Sequence, residues 1–388
     1  MRIFQVLEGG SNPAVSGSRT WLRNLYEPLL DLGHDVVLFD AARGREAMSS
    51  GRSRKKMVFS QRLLDAFRVE HRKAPIDLFF AYLMDGMVDP LVIDEVRKHG
   101  VITCNFSCNN IHQFELVDEL SPHFDFNLHS ERDAAEKFRA IGANGLWFPM
   151  AANPKYYHPF KTPRVWDVTF VGMNYATRSA SILHLLHSSF EAHAFGPGWD
   201  SPSRTRRVRR WMLRNLKLLQ AVCATSCEQQ YSYSSAAAQL DLTRLLWNQF
   251  PGNLHGPVSD DRMISLYSES KISLGFLDVY EGHDASRLLL QHLHLREFEG
   301  PMSGALYLTG LCNELTEFYE PDKEVLVYRN MHELCDKVDY YLKHESEAQR
   351  TREAGHRRAL ECHTYHKRFK DLFNKIGLKQ ESDSGRST

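Results

Sequence analysis

Arg296 and Glu299 lie close together in the run Arg296-Glu-Phe-Glu-Gly-Pro-Met-Ser-Gly304. A guanidinium suits bidentate contact with phosphate oxygens, and a carboxylate beside it can accept two neighbouring hydroxyls. Ser303 and Gly304 follow, where a helix would turn toward a strand. Val168-Thr-Phe-Val-Gly-Met-Asn-Tyr-Ala-Thr-Arg178 has similar chemistry. Gly172 permits close backbone approach, Asn174 offers an amide donor, and Arg178 adds a second guanidinium. The plain alternatives are a helix-capping role for Glu299 and a surface ion pair for each arginine.

The first half carries weaker signals. Glu8-Gly9-Gly10-Ser11 follows the first apolar run. Its glycines allow a phosphate or sugar to approach the backbone, although Gly9, Gly10 and Gly17 do not form a G-x-G-x-x-G fingerprint. A simple turn before a helix reads equally well. His112, in Asn109-Asn-Ile-His112, is a candidate general base or hydroxyl partner. With 19 histidines in the chain, most must be incidental. Asp85, in Met84-Asp-Gly-Met87, is a second base candidate.

The elements that must position these groups follow from hydrophobic spacing. Short apolar runs at 3–7, 36–39, 78–82, 101–106, 124–129 and 146–150 read as strands. Amphipathic stretches at 19–32, 89–99 and 131–141 read as helices ending at Gly33, Gly100 and Gly142. After the proline-rich segment 150–163, an expected linker, the rhythm resumes. Strands are expected at 166–172, 192–196, 254–258, 271–277, 305–309 and 325–328, and closing helices at 331–343, 346–362 and 365–376. This α/β alternation predicts two doubly wound, Rossmann-like domains facing across a cleft, 1–155 and 164–362. The helix over 365–376 is expected to pack back on the first domain. A tail from Gly377 reads as disordered.

A chain of 388 residues suits two domains, and Lys plus Arg balances Asp plus Glu at 48 each. That zero net charge argues against nucleic acid as a partner. The seven cysteines are odd in number and match no zinc spacing, so they read as free thiols in a reducing compartment. The N-terminal apolar run is too short for a signal peptide, and no stretch approaches the roughly 20 apolar residues of a membrane span. A cytoplasmic protein is expected, with a peripheral place on the inner membrane face as an alternative.

Two basic segments stand out. Residues 42–56 are flexible by composition. Residues 201–250 read as an inserted pair of helices, whose basic amphipathic stretch Arg204–Lys217 suits an anionic membrane surface or an anionic acceptor. Packing on the body with its arginines in water is the other reading.

Taken together, Lys271–Leu277, Arg296–Thr309, Val168–Arg178, Phe195-Gly-Pro-Gly-Trp199, His255-Gly-Pro-Val258, Glu314–Tyr328 and Glu361-Cys-His-Thr-Tyr-His-Lys-Arg368 resemble the CgeB-like glycosyltransferases. These are named after a spore maturation protein and are related to glycosyltransferase family 4. The likeness covers roughly residues 145–373. It implies a GT-B fold and transfer of a sugar from a nucleotide-sugar donor to a glycan, small-molecule, lipid or protein acceptor. It also implies no obligatory metal and no other cofactor.

On that resemblance Glu299 accepts the ribose hydroxyls, and its spacing to Gly304 matches the related family. Arg296 and Arg178, with Gly172, Asn174 and Ser303, hold the diphosphate. The related family's first glutamate falls at Gln291, which is not acidic. The loop 278–286, through His283 or Asp284, then either lines the sugar pocket or faces solvent. A retaining course is favoured over an inverting one. The competing readings are a catalytically silent nucleotide- or glycan-binding module and a nucleotide-sugar epimerase.

Overall fold

A computed structural model describes residues 1–9, 19–50, 53–200, 240–281 and 288–378, excluding the side chains of 49–50. Its described residues fall into two compact units. One holds 1–9, 19–50, 53–156 and 361–378; the other holds 157–200, 240–281 and 288–360.

The first unit contains β1 (Arg2–Leu7), β2 (Asp35–Asp40), β3 (Leu78–Ala81), β4 (Ile102–Ser107), β5 (Phe126–His129) and β6 (Gly145–Trp147). They form one parallel sheet in the order β2-β1-β3-β4-β5-β6. Helix Ser53–Lys73 turns Phe59, Leu63, Leu64 and Phe67 onto one face. Phe67 meets Phe4 edge-on, and Phe4 stacks on Phe79, joining helix and sheet.

The second unit contains β7 (Trp166–Val171), β8 (Ala192–Phe195), β9 (Leu254–His255), β10 (Ser270–Leu274), β13 (Tyr307–Gly310) and β14 (Leu326–Tyr328), all parallel, in the order β14-β13-β10-β7-β8-β9. A hairpin of β11 (Asp278–Tyr280) and β12 (Leu289–Gln291) pairs separately and antiparallel. Helices Arg178–His187, Asp260–Glu269, Arg296–Met302 and Met331–Lys343 connect or flank these strands.

Several expectations need correction. Residues 42–56, expected to be flexible, lie largely in helices Ala42–Ser50 and Ser53–Lys73. The apolar face that holds the second helix begins beyond the basic run. The helix expected over 19–32 is a π-helical turn, Leu22–Tyr26, followed by Glu27–Asp31. Pro28 has no N–H to donate, and Glu27 N–H reaches back to the Leu22 carbonyl, one residue beyond the α-helical register. The strand expected at 254–258 stops at His255, immediately before Gly256-Pro257. Residues 278–280 form a strand rather than a loop.

Within the proline-rich segment, Ala151, Ala152 and Asn153 are buried, and Ala152 bridges to Thr364. Thr364 caps helix Tyr365–Lys375 by accepting from Lys367 N–H. That helix packs Phe369 against Phe80 and Phe148. Arg368 donates to the carbonyls of Pro149 and Met150. In the region expected as an insertion, 240–249 is helical and buries Leu246 in the second unit's core. Arg204–Lys217 lies outside the described residues, as does most of the expected tail. No helix among the described residues is long and apolar enough to cross a membrane.

Candidate functional site

In a doubly wound sheet, loops diverge where the strand order reverses and leave a crevice at the strands' carboxyl ends. In the second unit this point lies between β7 and β10. The loops after these strands start at Gly172 and Gly275, and helix Arg296–Met302 leads into β13.

Arg296 lies against the end of β7. Its guanidinium carbon is 5.7 Å from the centre of the Phe170 ring. A Cβ on Gly172 would come within 3.1 Å of Nη1 of Arg296 and 2.8 Å of the Phe170 ring, so a side chain there would press on the arginine. Nε and Nη2 of Arg296 are buried and have no hydrogen-bond partner among the described residues. Burial opposes the charge, but Tyr175, Tyr307 and Glu297 carry its pKa upward, so Arg296 remains a cation. Buried N–H groups of a cation are costly when unpaired and are strong donors to an anion that arrives.

Glu299 is 3% exposed, and the Tyr157 hydroxyl donates to it. Burial pushes its pKa up to about 7, against the opposing pull of Tyr157 and Arg296. The hydroxyls of Tyr267 and Ser303 are buried without partners among the described residues. Gly304 has φ +74°, and a Cβ there would meet Pro159 at 2.9 Å, so the tight passage from helix to strand requires glycine. Glu297 on the same helix is fully buried. It accepts from His294 N–H at 2.7 Å, Tyr307 at 3.0 Å and Thr309 at 3.3 Å, and burial raises its pKa.

Arg178 has a different environment. Nη1 donates to the Met173 carbonyl at 2.8 Å. Nη2 meets the Tyr175 hydroxyl at 2.7 Å, His294 Nε2 at 3.2 Å and the Phe276 carbonyl at 3.4 Å. Burial, then Arg296, bring its pKa down to about 10. Its two terminal nitrogens bind the crevice loops together, and its Nε is buried without a partner among the described residues. The Asn174 amide likewise donates to the Gly198 carbonyl at 3.3 Å and Thr243 at 3.2 Å, so its expected phosphate contact gives way to a loop contact.

In the first unit the order reverses between β1 and β3. Gly9 N–H is taken by Asp40 at 3.0 Å. The two oxygens of Asp85 accept from Glu119 N–H at 3.0 Å and Leu120 N–H at 2.9 Å. Burial raises the Asp85 pKa to about 6, but these contacts make it a loop anchor before a base. His112 sits half-buried in the loop after β4, its backbone N–H 3.2 Å from the Asn109 carbonyl. Gly10, Ser11, His283 and Asp284 lie outside the described residues. No cluster of three or more His, Cys, Asp or Glu among the described residues is placed to hold a metal ion.

Sequence reasoning missed Tyr157, Tyr267 and Glu297. Tyr157 sits in a stretch read as a linker, and only the fold brings it to Glu299. The Glu297–Glu299 spacing was visible, but not which carboxylate would be fully engaged by the protein.

Solved structures resemble the whole chain. Sucrose-phosphate synthase from Thermosynechococcus elongatus superposes with TM-score 0.62 at 11% identity, covering 97% of this chain and 99% of its own. The fold is of the GT-B type. A glycosyltransferase from Rickettsia africae superposes with TM-score 0.62 at 11% identity, covering 98% of this chain and 99% of its own. HepE from Anabaena, solved with UDP-glucose, does so with TM-score 0.57 at 10% identity, covering 98% of this chain and 100% of its own. Residues 203–374 match the family model described as glycosyl transferase-like. The match contains Arg296 and Glu299 and excludes Val168–Arg178. No curated protein matches the sequence.

Proposed function

We propose that the protein is a glycosyltransferase of CgeB-like kind that binds a nucleotide-sugar donor in the crevice of its second unit. One observation carries this reading: beside the backbone of Gly172, Arg296 keeps two buried nitrogens that have no hydrogen-bond partner among the described residues. These suit diphosphate oxygens. Glu299, one helical turn further on, receives the ribose hydroxyls, and Tyr157 holds its carboxylate in place. The family match over 203–374 and the GT-B fold support the same assignment.

As the sugar leaves, negative charge grows on the departing phosphate, and a preorganised guanidinium stabilises it. Arg296 supplies that charge without a resident metal. A retaining course fits best, because the departing phosphate can take the acceptor's proton and Asp85 is already engaged by backbone amides. The buried thiol of Cys104 suits a cytoplasmic, reducing setting.

Thermal denaturation with UDP, GDP, dTDP and their sugars tests the donor reading. At a hundred times Kd, a ligand of the folded state adds about 2.7 kcal/mol. One nucleotide series raises Tm in the wild type and has little effect on Glu299→Ala. If no nucleotide raises it, the donor site is wrongly assigned. Binding without transfer to any glycan, lipid or peptide acceptor marks a silent module. Transfer from an α-linked donor gives an α-linked product; a β-linked product returns the base role to His112.

A further inference from the structure

Gln291 occupies the position of an expected acid, yet the structure places a carboxylate beside it. Asp278, the first residue of β11, pairs in register with Gln291 of β12. Its Oδ1 accepts from Gln291 Nε2 at 3.4 Å and its Oδ2 from Thr177 Oγ1 at 2.8 Å. Thr177 stands at the N-cap of helix Arg178–His187 but makes no side-chain cap, because its hydroxyl is turned to Asp278. Asp278 forms no ion pair with the described residues. It is a half-buried carboxylate held by neutral donors at the end of β10, on the crevice side of the sheet.

Its surroundings differ from those of Glu299. Glu299 is grouped with Tyr157, Arg296, Asp260 and Glu297. Asp278 is grouped with Thr177 and Gln291, and it shares the electrostatic surroundings of Tyr328 with Glu297 and Arg178. Arg178 and Arg296 approach the same Phe170 ring, at 5.2 Å and 5.7 Å from its centre. Thr177, the donor to Asp278, is the chain neighbour of Arg178, which shares the Phe170 ring with Arg296. With ribose at Glu299 and diphosphate at Arg296, the sugar falls toward the hairpin.

We infer that Asp278 is a specificity-determining residue for the donor sugar, accepting hydroxyls of a neutral hexose and repelling a hexuronate. The inference rests on the donor reading above. A carboxylate held by neutral donors keeps acceptor capacity for hydroxyls. It also places one negative charge against another when the sugar carries its own carboxylate, which is discrimination by repulsion.

Calorimetric titration of wild type and Asp278→Asn with UDP, UDP-glucose and UDP-glucuronate tests this, or the GDP, GDP-mannose and GDP-mannuronate series if that nucleotide is the one bound. The expected result is an unchanged Kd for the bare nucleotide. The hexose-over-hexuronate preference in Kd falls by about tenfold or more in the variant. An unchanged preference, with nucleotide binding intact, overturns the inference and leaves the donor reading standing. Equal loss for all three ligands makes Asp278 a structural anchor and also overturns it. If the wild type binds no nucleotide, the donor reading fails and takes the inference with it. Asp278→Ser, which removes the charge with a smaller neutral side chain, serves if Asp278→Asn does not fold. It shifts the preference in the same direction if the inference holds, and an unchanged preference there overturns it.

Discussion

The two units use the same architectural opening and furnish it in opposite ways. Beyond the carboxyl ends of the first unit's strands, described carboxylates are matched to backbone donors. Asp40 takes Gly9 and Ala42, Asp85 takes Glu119 and Leu120, and Glu131 takes Asn109 and Asn110. At the second unit's reversal point, Arg296 has N–H groups left over and Tyr267 a hydroxyl left over. Satisfied polar groups fix a loop, whereas unsatisfied buried groups raise the energy of the empty protein until something arrives to meet them. The described carboxylates of the first unit therefore fix loops, whereas the second unit keeps buried donors that suit the anionic donor proposed above.

Arg296→Ala gives the largest effect and the most direct way to break this contrast. Turnover falls about 10²–10³-fold, as expected when a preorganised charge is removed from the departing group, with a smaller loss of donor affinity. Steady-state kinetics read the split. If turnover is unchanged, Arg296 has no part in the chemistry.

Arg178→Met should do the reverse. It strands the carbonyls of Met173 and Phe276 and the Tyr175 hydroxyl, and it lowers stability by about 3 kcal/mol in urea denaturation. An equally stable variant with lost activity would make Arg178 the phosphate ligand and Arg296 the structural one.

Glu299 gives a pH signature. Its folded-state pKa, about 7, lies above the ordinary 4.5, so the folded chain holds a proton that the unfolded chain has released between those values. Its contribution to stability is fully present below pH 4.5 and is lost as the pH rises through about 7. The slope reaches at most ~1.4 kcal/mol per pH unit. Glu299→Gln removes that component of the slope in denaturation series from pH 4 to 8. A slope identical to wild type would show that Glu299 does not titrate there.

The smallest effect belongs to the first unit. Asp85→Asn keeps one good acceptor and costs about 1 kcal/mol, with turnover and its pH profile unchanged. A profile that loses its limb near pH 6 would make Asp85 a base.

Much of this was legible in the residues. Strands such as Ile3–Leu7 and Trp166–Val171 are short apolar runs that fit only a buried sheet, and their order follows from the alternation with helices. The pair Arg296 and Glu299 was visible by type and spacing. Arg178 was equally visible and was assigned the same task, because sequence records the guanidinium but not its partners. Met173, Tyr175, Phe276 and His294 reach it only after three separate loops have been placed. The hairpin of Asp278–Tyr280 and Leu289–Gln291 went unseen because its strands are three residues each and only Val279 is buried, so hydropathy gives them little signal.

The closing helix has a consequence for the order in which the chain matures. His366 reaches Asp31 across 335 positions, and Arg368 reaches Met150 across 218. The first unit is thus assembled from stretches that lie on either side of the second unit's described residues in the sequence. During synthesis the lobe that begins first is finished last, since Phe80 and Phe148 wait uncovered until Phe369 leaves the ribosome. Loss of the last two dozen residues would therefore wound the opposite end of the chain.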